Sequence, residues 1–401
     1  MKRQLIYIIS CMTLLGGCID FGDSTETISI TIQVSNPESC LNLNMADHIV
    51  TLKGTEMLKG TTNAQGRITF TDIIPEVYNI STSWKITSEE YTQATGIIVE
   101  KKGYTISGTL TSQLLSASTK DTIEISTNIT QDQSVLISKV YYSGNMNDNN
   151  KSYQYGKYVE LYNNSDQEID ISGLYLALIE SASPNSDYPL KYLTDTVIAK
   201  QVFRIPNKIV QPGTSVLLVN SAIDHTSKGA SKDPNLLDAD FEAKDKSSGT
   251  KAHVNNPDVP ELQLIYSYTN NTYMNLVNGG YCSVIIFETD EDVEHDWVNK
   301  HLTYRYGKSN GYFLMKIPTK FILDAVEIMR YTAATGVNVS EKRLYEYLDA
   351  GYTYNEASYD GKAVKRKTLY VSDDGRVVLQ DTNNSLNDFE ITDELNPRQY
   401  K

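Results

Sequence analysis

The amino-acid sequence predicts an all-β protein built from two β-sandwich domains in tandem. Three observations carry that prediction. Residues 27–34 alternate strictly between polar and apolar side chains, the period of a half-buried strand. Short apolar runs recur along the chain, bounded by Asn, Gly and Pro turn residues. Tyr is abundant, 28 residues against 8 Phe and 2 Trp, and Tyr suits half-wet sheet faces.

At 401 residues the chain has room for two to four domains. It carries 36 basic and 50 acidic residues, a net charge of -14. Such acidity argues against nucleic acid, whose phosphates need a basic face, and against adhesion to an anionic bilayer by charge. Apolar residues make up 40% and charged residues 21%, enough to fill packed cores.

The chain opens with basic Met1-Lys2-Arg3 and an apolar stretch, 4–15, too short to span a bilayer and suited to a secretory h-region. Leu15-Gly16-Gly17-Cys18 then resembles the bacterial lipoprotein box. That resemblance implies that residues 1–17 are a signal peptide, that Cys18 is acylated, and that 18–26 is a tether. Loss of Lys2 and Arg3 would leave 34 basic against 50 acidic residues, a net charge of -16. Several acyl chains on one residue make a stable anchor. The acids of 20–26 loosely resemble the surface-export signal of Bacteroidetes lipoproteins. Apart from Cys11, in the signal, Cys40 and Cys282 remain. They are either one disulfide or two buried thiols, and their placement in different domains favours thiols.

In the first domain, Ile28, Ile30, Ile32 and Val34 face inward, and 48–52 supplies a second strand. An Asn/Gly turn at 63–66 precedes a strand ending at Phe70, and Pro75 precedes another around Val77–Ser81. Further strands are expected at 97–99, 104–106 and 122–125. This order over 27–127 resembles the carboxypeptidase-regulatory or transthyretin-like sandwich, with Glu76-Val77 standing where that family has Gly. The resemblance implies a spacer or platform without chemistry of its own. A polar boundary is expected at 128–134.

The second domain, 135–401, starts on the apolar run 135–142. Glu160-Leu161-Tyr162-Asn163-Asn164 is followed by Asp170-Ile171-Ser172-Gly173-Leu174, then by Ile209-Val210-Gln211-Pro212-Gly213. Pro presets φ and Gly accepts a positive φ, so Pro212-Gly213 reads as a turn. Together these resemble the lamin-tail fold, an immunoglobulin-like sandwich. With the closing segment Asp381-Thr382-Asn383-Asn384-Ser385, they resemble an uncharacterised family of Bacteroides lipoproteins built on that core. The resemblance gives Glu160, Asn163, Asn164, Gly173, Pro212, Gly213, Asp381, Asn383 and Asn384 structural roles. It also favours a strand over a helix at 321–329. A polar insertion near 221–260 reads as a functional or mobile loop. Leu344, Tyr347 and Leu348 fit one short helix.

Chemistry has few carriers. The five His residues form no metal-ligand spacing with one another or with Cys, and no nucleophile elbow, P-loop or dinucleotide fingerprint is present. Asp290, Glu291, Asp292 and Glu294 crowd the run 288–296, where hard cations such as Ca²⁺ find oxygen ligands or where the loop is simply solvated. Tyr153, Tyr155, Tyr266, Tyr268, Tyr352 and Tyr354 lie in local clusters of the kind that stack on sugars or anchor interfaces, or else fill a Tyr-rich sandwich. The expected function is therefore non-enzymatic binding or assembly at the outer membrane, facing the periplasm or the cell surface. The expected partner is an outer-membrane transporter or barrel. A carbohydrate-binding lipoprotein is the alternative, and a hydrolase the remote third.

Overall fold

The computed structural model describes residues 26–98, 103–120, 122–131, 133–180, 189–244 and 254–400. The expected signal peptide and Cys18 lie outside the described residues, as does Val99. Among the described residues no helix is long and apolar enough to cross a membrane.

The chain is all-β. The first sandwich uses strands β1 Ile28–Val34, β2 Ile49–Lys53, β3 Met57–Thr61, β4 Arg67–Ile73, β5 Val77–Ile86, β6 Tyr104–Leu114, β7 Thr122–Ile125 and β8 Asn128–Gln131. They form a three-stranded sheet, β4-β1-β7, facing a five-stranded sheet, β3-β2-β5-β6-β8. The alternation in β1 sends Ile30, Ile32 and Val34 into the core, where they meet Val50, Leu52 and Ile80 of the opposite sheet. Some outer positions stay wet, Ile49 and Val77 being about half exposed, while Ser81 and Thr105 are buried.

Two expectations for this region need correction. Ile97 and Ile98 are in no strand and stand exposed, because a helix, α1 Ser88–Thr95, fills the connection and ends at Gly96. Its start is a capping box, Thr87 with Glu90, visible in the sequence as Thr-x-x-Glu. The 128–134 boundary is not a linker, since β8 within it pairs with β6.

The second domain uses β9 Val135–Tyr141, β10 Tyr158–Asn163, β11 Tyr175–Ile179, β12 Thr196–Arg204, β13 Ser215–Val219, β14 Phe241–Glu242, β15 Gln263–Ser267, β16 Val284–Phe287, β17 Leu302–Tyr304, β18 Phe313–Pro318, β19 Ile322–Val326, β20 Ala363–Arg366 and β21 Phe389–Thr392, with shorter pairings between. One sheet runs β14-β13-β10-β9-β20-β21. The other runs β17-β18-β12-β11-β16-β19, with β15 also paired to β12. Between them Ile137, Val159, Leu161 and Leu218 pack against Leu176, Leu178, Phe203 and Ile286.

Both sheets are covered a second time. Trp297, Val293 and Leu344 close over Ala177, Ile179, Ile285 and Phe287. Ala222, Leu236, Ala239 and Val259 of the 221–260 insertion, with Leu395, close over Tyr141, Tyr158, Leu217 and Val219. The insertion's described part is thus a packed cover rather than a loose loop. Continuous apolar runs such as Tyr175–Ile179 and Val284–Phe287 follow from this two-sided burial. The expected helix around 344–348 is only a turn, in which Leu348 and Asp349 both donate to the Tyr345 carbonyl. Segment 322–326 is a strand.

Candidate functional site

Among the described residues, the sheet edge at β17 and β18 gathers four exposed aromatic side chains. The two strands form a hairpin around the turn 305–312, in which Gly307 and Gly311 take positive φ. Tyr304 and Phe313 face each other across the pair, and their rings stack at 4.3 Å. Tyr306 lies flat on Tyr192, ring centroids 4.0 Å apart and planes 6° from parallel. Tyr312 meets Tyr268 edge to face at 5.1 Å. Tyr266 donates to the Phe313 carbonyl at 2.8 Å, and burial pushes its hydroxyl pKa up to about 12. Two cations flank the rings, Lys191 at 5.0 Å from Tyr192 and Arg305 at 5.7 Å from Tyr312. Tyr192, Tyr306, Tyr312 and Phe313 are each 40–46% exposed. Aromatic rings gathered in the open on a strand edge are of the kind that interfaces use.

Of the tyrosines expected as ligand contacts, Tyr266 and Tyr268 lie here; Tyr192, Tyr304, Tyr306, Tyr312 and Phe313 were not among the expected contacts. The signal was present: aromatic residues flank the run Gly307-Lys308-Ser309-Asn310-Gly311, a hairpin turn with two glycines. Tyr192 had no such signal, because only the tertiary fold brings it to Tyr306.

The other tyrosines lie elsewhere. Tyr153 is buried, its hydroxyl 2.7 Å from His225 Nδ1 and its ring edge-on to Tyr155, so it offers a ligand nothing. Burial pushes that His225 down to about 4. Tyr354 stacks on Tyr331 at 5.0 Å, with Tyr352 beside it, both half-buried.

The acidic run does not converge on a cation. Asp292 caps a turn of π-helix at Val293–Trp297 and contacts the His295 ring, Glu291 accepts from Trp297 Nε1 at 2.7 Å, and Glu294 accepts from Gln263. Among the described residues no cluster of three or more His, Cys, Asp or Glu side chains is arranged to hold a metal. Asp292, Glu291 and Glu294 each serve a different partner instead of gathering. Cys40 and Cys282 are separate buried thiols.

The family-motif residues act as fasteners. The Asn163 amide donates to the Gln167 and Val210 carbonyls, and Asn164 exchanges hydrogen bonds with Leu379. Gly213, at φ 67°, closes the Pro212 turn by donating to the Asn163 carbonyl, and Gly173, at φ 86°, donates to Ile205. Glu160 holds the C-terminal tail, accepting from Arg398 N and Tyr400 Oη. Asn383 takes φ 51°, and Asn384 caps the short helix Ser385–Asp388 while donating to Thr109 of the first domain.

Asp381 belongs to a buried ionic cluster. The Arg366 guanidinium reaches both oxygens of Asp324 at 2.9–3.0 Å, Asp381 at 3.1 Å and Asp388 at 3.5 Å. Burial works against its charge, and the three carboxylates more than offset that, so its pKa is raised. Burial pushes Asp324 and Asp388 up, and the like charge of Asp381 adds to it against the pull of Arg366. Asp324 also accepts from Ile137 N, and Asp388 from Thr382 N. Every group here is spent on tying loops to strands.

The fold and this edge define a class: an all-β, doubly covered sandwich protein with an aromatic rim. The sequence model of a family of proteins of unknown function, DUF4876, matches residues 211–395. The chain is similar in structure to a DUF4876 family protein from Bacteroides thetaiotaomicron VPI-5482, with 21% identity, a TM-score of 0.56, and coverage of 90% of this chain and 94% of that one. Comparison with curated proteins gives no match.

Proposed function

We propose that this chain is a lipid-anchored protein of the bacterial outer membrane that works by binding rather than catalysis, and that the β17–β18 edge is its grip. The observation that carries the reading is the exposed aromatic rim of Tyr192, Tyr306, Tyr312 and Phe313. The Tyr192 and Tyr306 faces are already stacked on each other, which favours a protein partner packing over the pair. Strand β17 ends its sheet, so its outer backbone edge can accept a partner's strand. We favour an integral transporter or barrel as that partner, with Cys18 holding the chain beside it. The test is extraction in mild detergent. A barrel should co-purify with the natural chain and be lost with the pair Tyr306→Ser, Phe313→Ser. Equal recovery with both chains removes the rim from the account. Palmitate should label the natural chain and not Cys18→Ser.

A second reading, retention of a polysaccharide, draws on Tyr268, whose ring meets Tyr312 and whose hydroxyl accepts from Asn275 Nδ2. Glycan arrays test it, with Tyr268→Ala expected to abolish any specific retention.

A further inference from the structure

Behind Tyr268 the irregular segment 268–283 bends around a cavity of about 400 Å³. The segment is pinned on three sides. Asn220 exchanges hydrogen bonds with the Met274 backbone, Gln201 accepts from Asn275 N, and Lys157 donates to the Leu276 carbonyl at 2.7 Å. The cavity is lined by polar Gln154, Asn275, Asn278 and Ser358, by Lys157, and by apolar Met274 and Val277.

Lys157 is the unusual member. Its side chain is 3% exposed, yet no carboxylate among the described residues pairs with it. Its partners are neutral, the Leu276 carbonyl and Asn278 Oδ1, and an ammonium has three donors. The charged groups that face it are Lys200, also buried, and the Cys282 thiol. Lys200 adds a like charge, and burial keeps the Cys282 thiol neutral by pushing its pKa up to about 12. A buried cation without a counter-ion is costly. Elsewhere in this domain the protein does supply carboxylates: Arg366 has three and Arg343 has Glu180 at 2.8 Å.

We propose that this cavity binds a small hydroxylated carboxylic acid, of the sugar-acid class, whose carboxylate meets Lys157 and whose hydroxyls meet the amides of Gln154, Asn275 and Asn278 and the hydroxyl of Ser358. Lys157 is the one cationic side chain in the lining, and it selects a single carboxylate. Amide and hydroxyl linings suit polyols, which both donate and accept. The size lies in the range of ligand pockets and admits one ring with its substituents. The site is separate from the aromatic rim and does not rest on the rim's role. Tyr268 lies between the two without lining the cavity, its ring against Tyr312 and its hydroxyl accepting from Asn275 Nδ2 at 3.3 Å.

The test is calorimetric titration of the mature chain with D-galacturonate and D-glucuronate, and with D-galactose as the neutral counterpart. Saturable binding of one uronate is expected, with galactose weaker by roughly 10- to 100-fold, the worth of one charge-assisted contact. Lys157→Met should bring the uronate down to the level of galactose. Binding should also weaken above neutral pH, because burial, with Lys200 beside it, pushes the Lys157 pKa down to about 7. If Lys157→Met does not fold, Asn275→Ala, which leaves the ammonium in place, should weaken the uronate on its own. Equal affinity for uronate and galactose, or no saturable binding of either uronate at millimolar concentration, overturns the proposal. The pair Tyr306→Ser, Phe313→Ser should leave uronate binding unchanged, so failure of the rim and failure of the cavity are told apart.

Discussion

The two sandwiches solve the same problem at different depths. In the first, one face of each sheet is packed and the other is largely wet, so β1 alternates and Ile49 can stand half exposed. In the second, every residue of β9, β10, β11 and β16 is buried, because loops and the C-terminal tail cover the outer faces. The difference teaches where polar groups must go. A doubly covered sheet drags polar and charged side chains inside, and each needs a partner. Lys139 of β9 finds the Glu394 and Asn396 carbonyls of the tail, and Tyr158 finds that of Leu395. The first sandwich buries no Lys, Arg, Asp or Glu among its described residues.

That contrast can be broken most severely at Arg366. Arg366→Leu leaves three acids buried without their cation and should cost about 3–5 kcal/mol in urea denaturation, or prevent folding. Trp297→Ala strips the cover from the second sheet and should cost about 3–5 kcal/mol less any collapse of the site, read as a lower melting midpoint. Lys157→Met sharpens the comparison through pH. The unfolded chain holds that proton up to the ordinary value of 10.5, and the folded chain releases it at about 7. Wild-type stability therefore rises with pH across this window, and Lys200, pushed down to about 8 by burial, adds to the slope. Lys157→Met should gain roughly 1–3 kcal/mol over the natural chain at pH 6.5 and less at pH 9.5. At the small end, Ile49→Thr on the wet face of the first sandwich should change stability by less than about 0.5 kcal/mol.

The same contrast governs what was legible in the sequence. Strict alternation named β1 and its inward residues directly, and Pro212-Gly213 named its turn. Strand 322–326 was ambiguous because two-sided burial removes the period that separates strand from helix. The short helix expected at 344–348 fails for a related reason: its apolar residues serve as a lid over β11 and β16, and lids need no period. The capping box of α1 was readable and overlooked. Of the rim, Tyr266 and Tyr268 were legible as a cluster, whereas Tyr192 comes from more than a hundred residues away from its stacking partner Tyr306, and no local pattern marks that pairing. Nothing local marks Lys157 as buried, since the loop 268–283 that covers it lies more than a hundred residues on.

The central claim is that the aromatic rim grips a membrane partner while Cys18 holds the chain beside it. Detergent extracts of cells making the natural chain, or the chain with Tyr306→Ser and Phe313→Ser, test it in one experiment, with palmitate labelling of both. The account predicts equal palmitate and an integral barrel recovered only with the natural chain. Recovery of the same barrel with both chains, or of none with either, contradicts it.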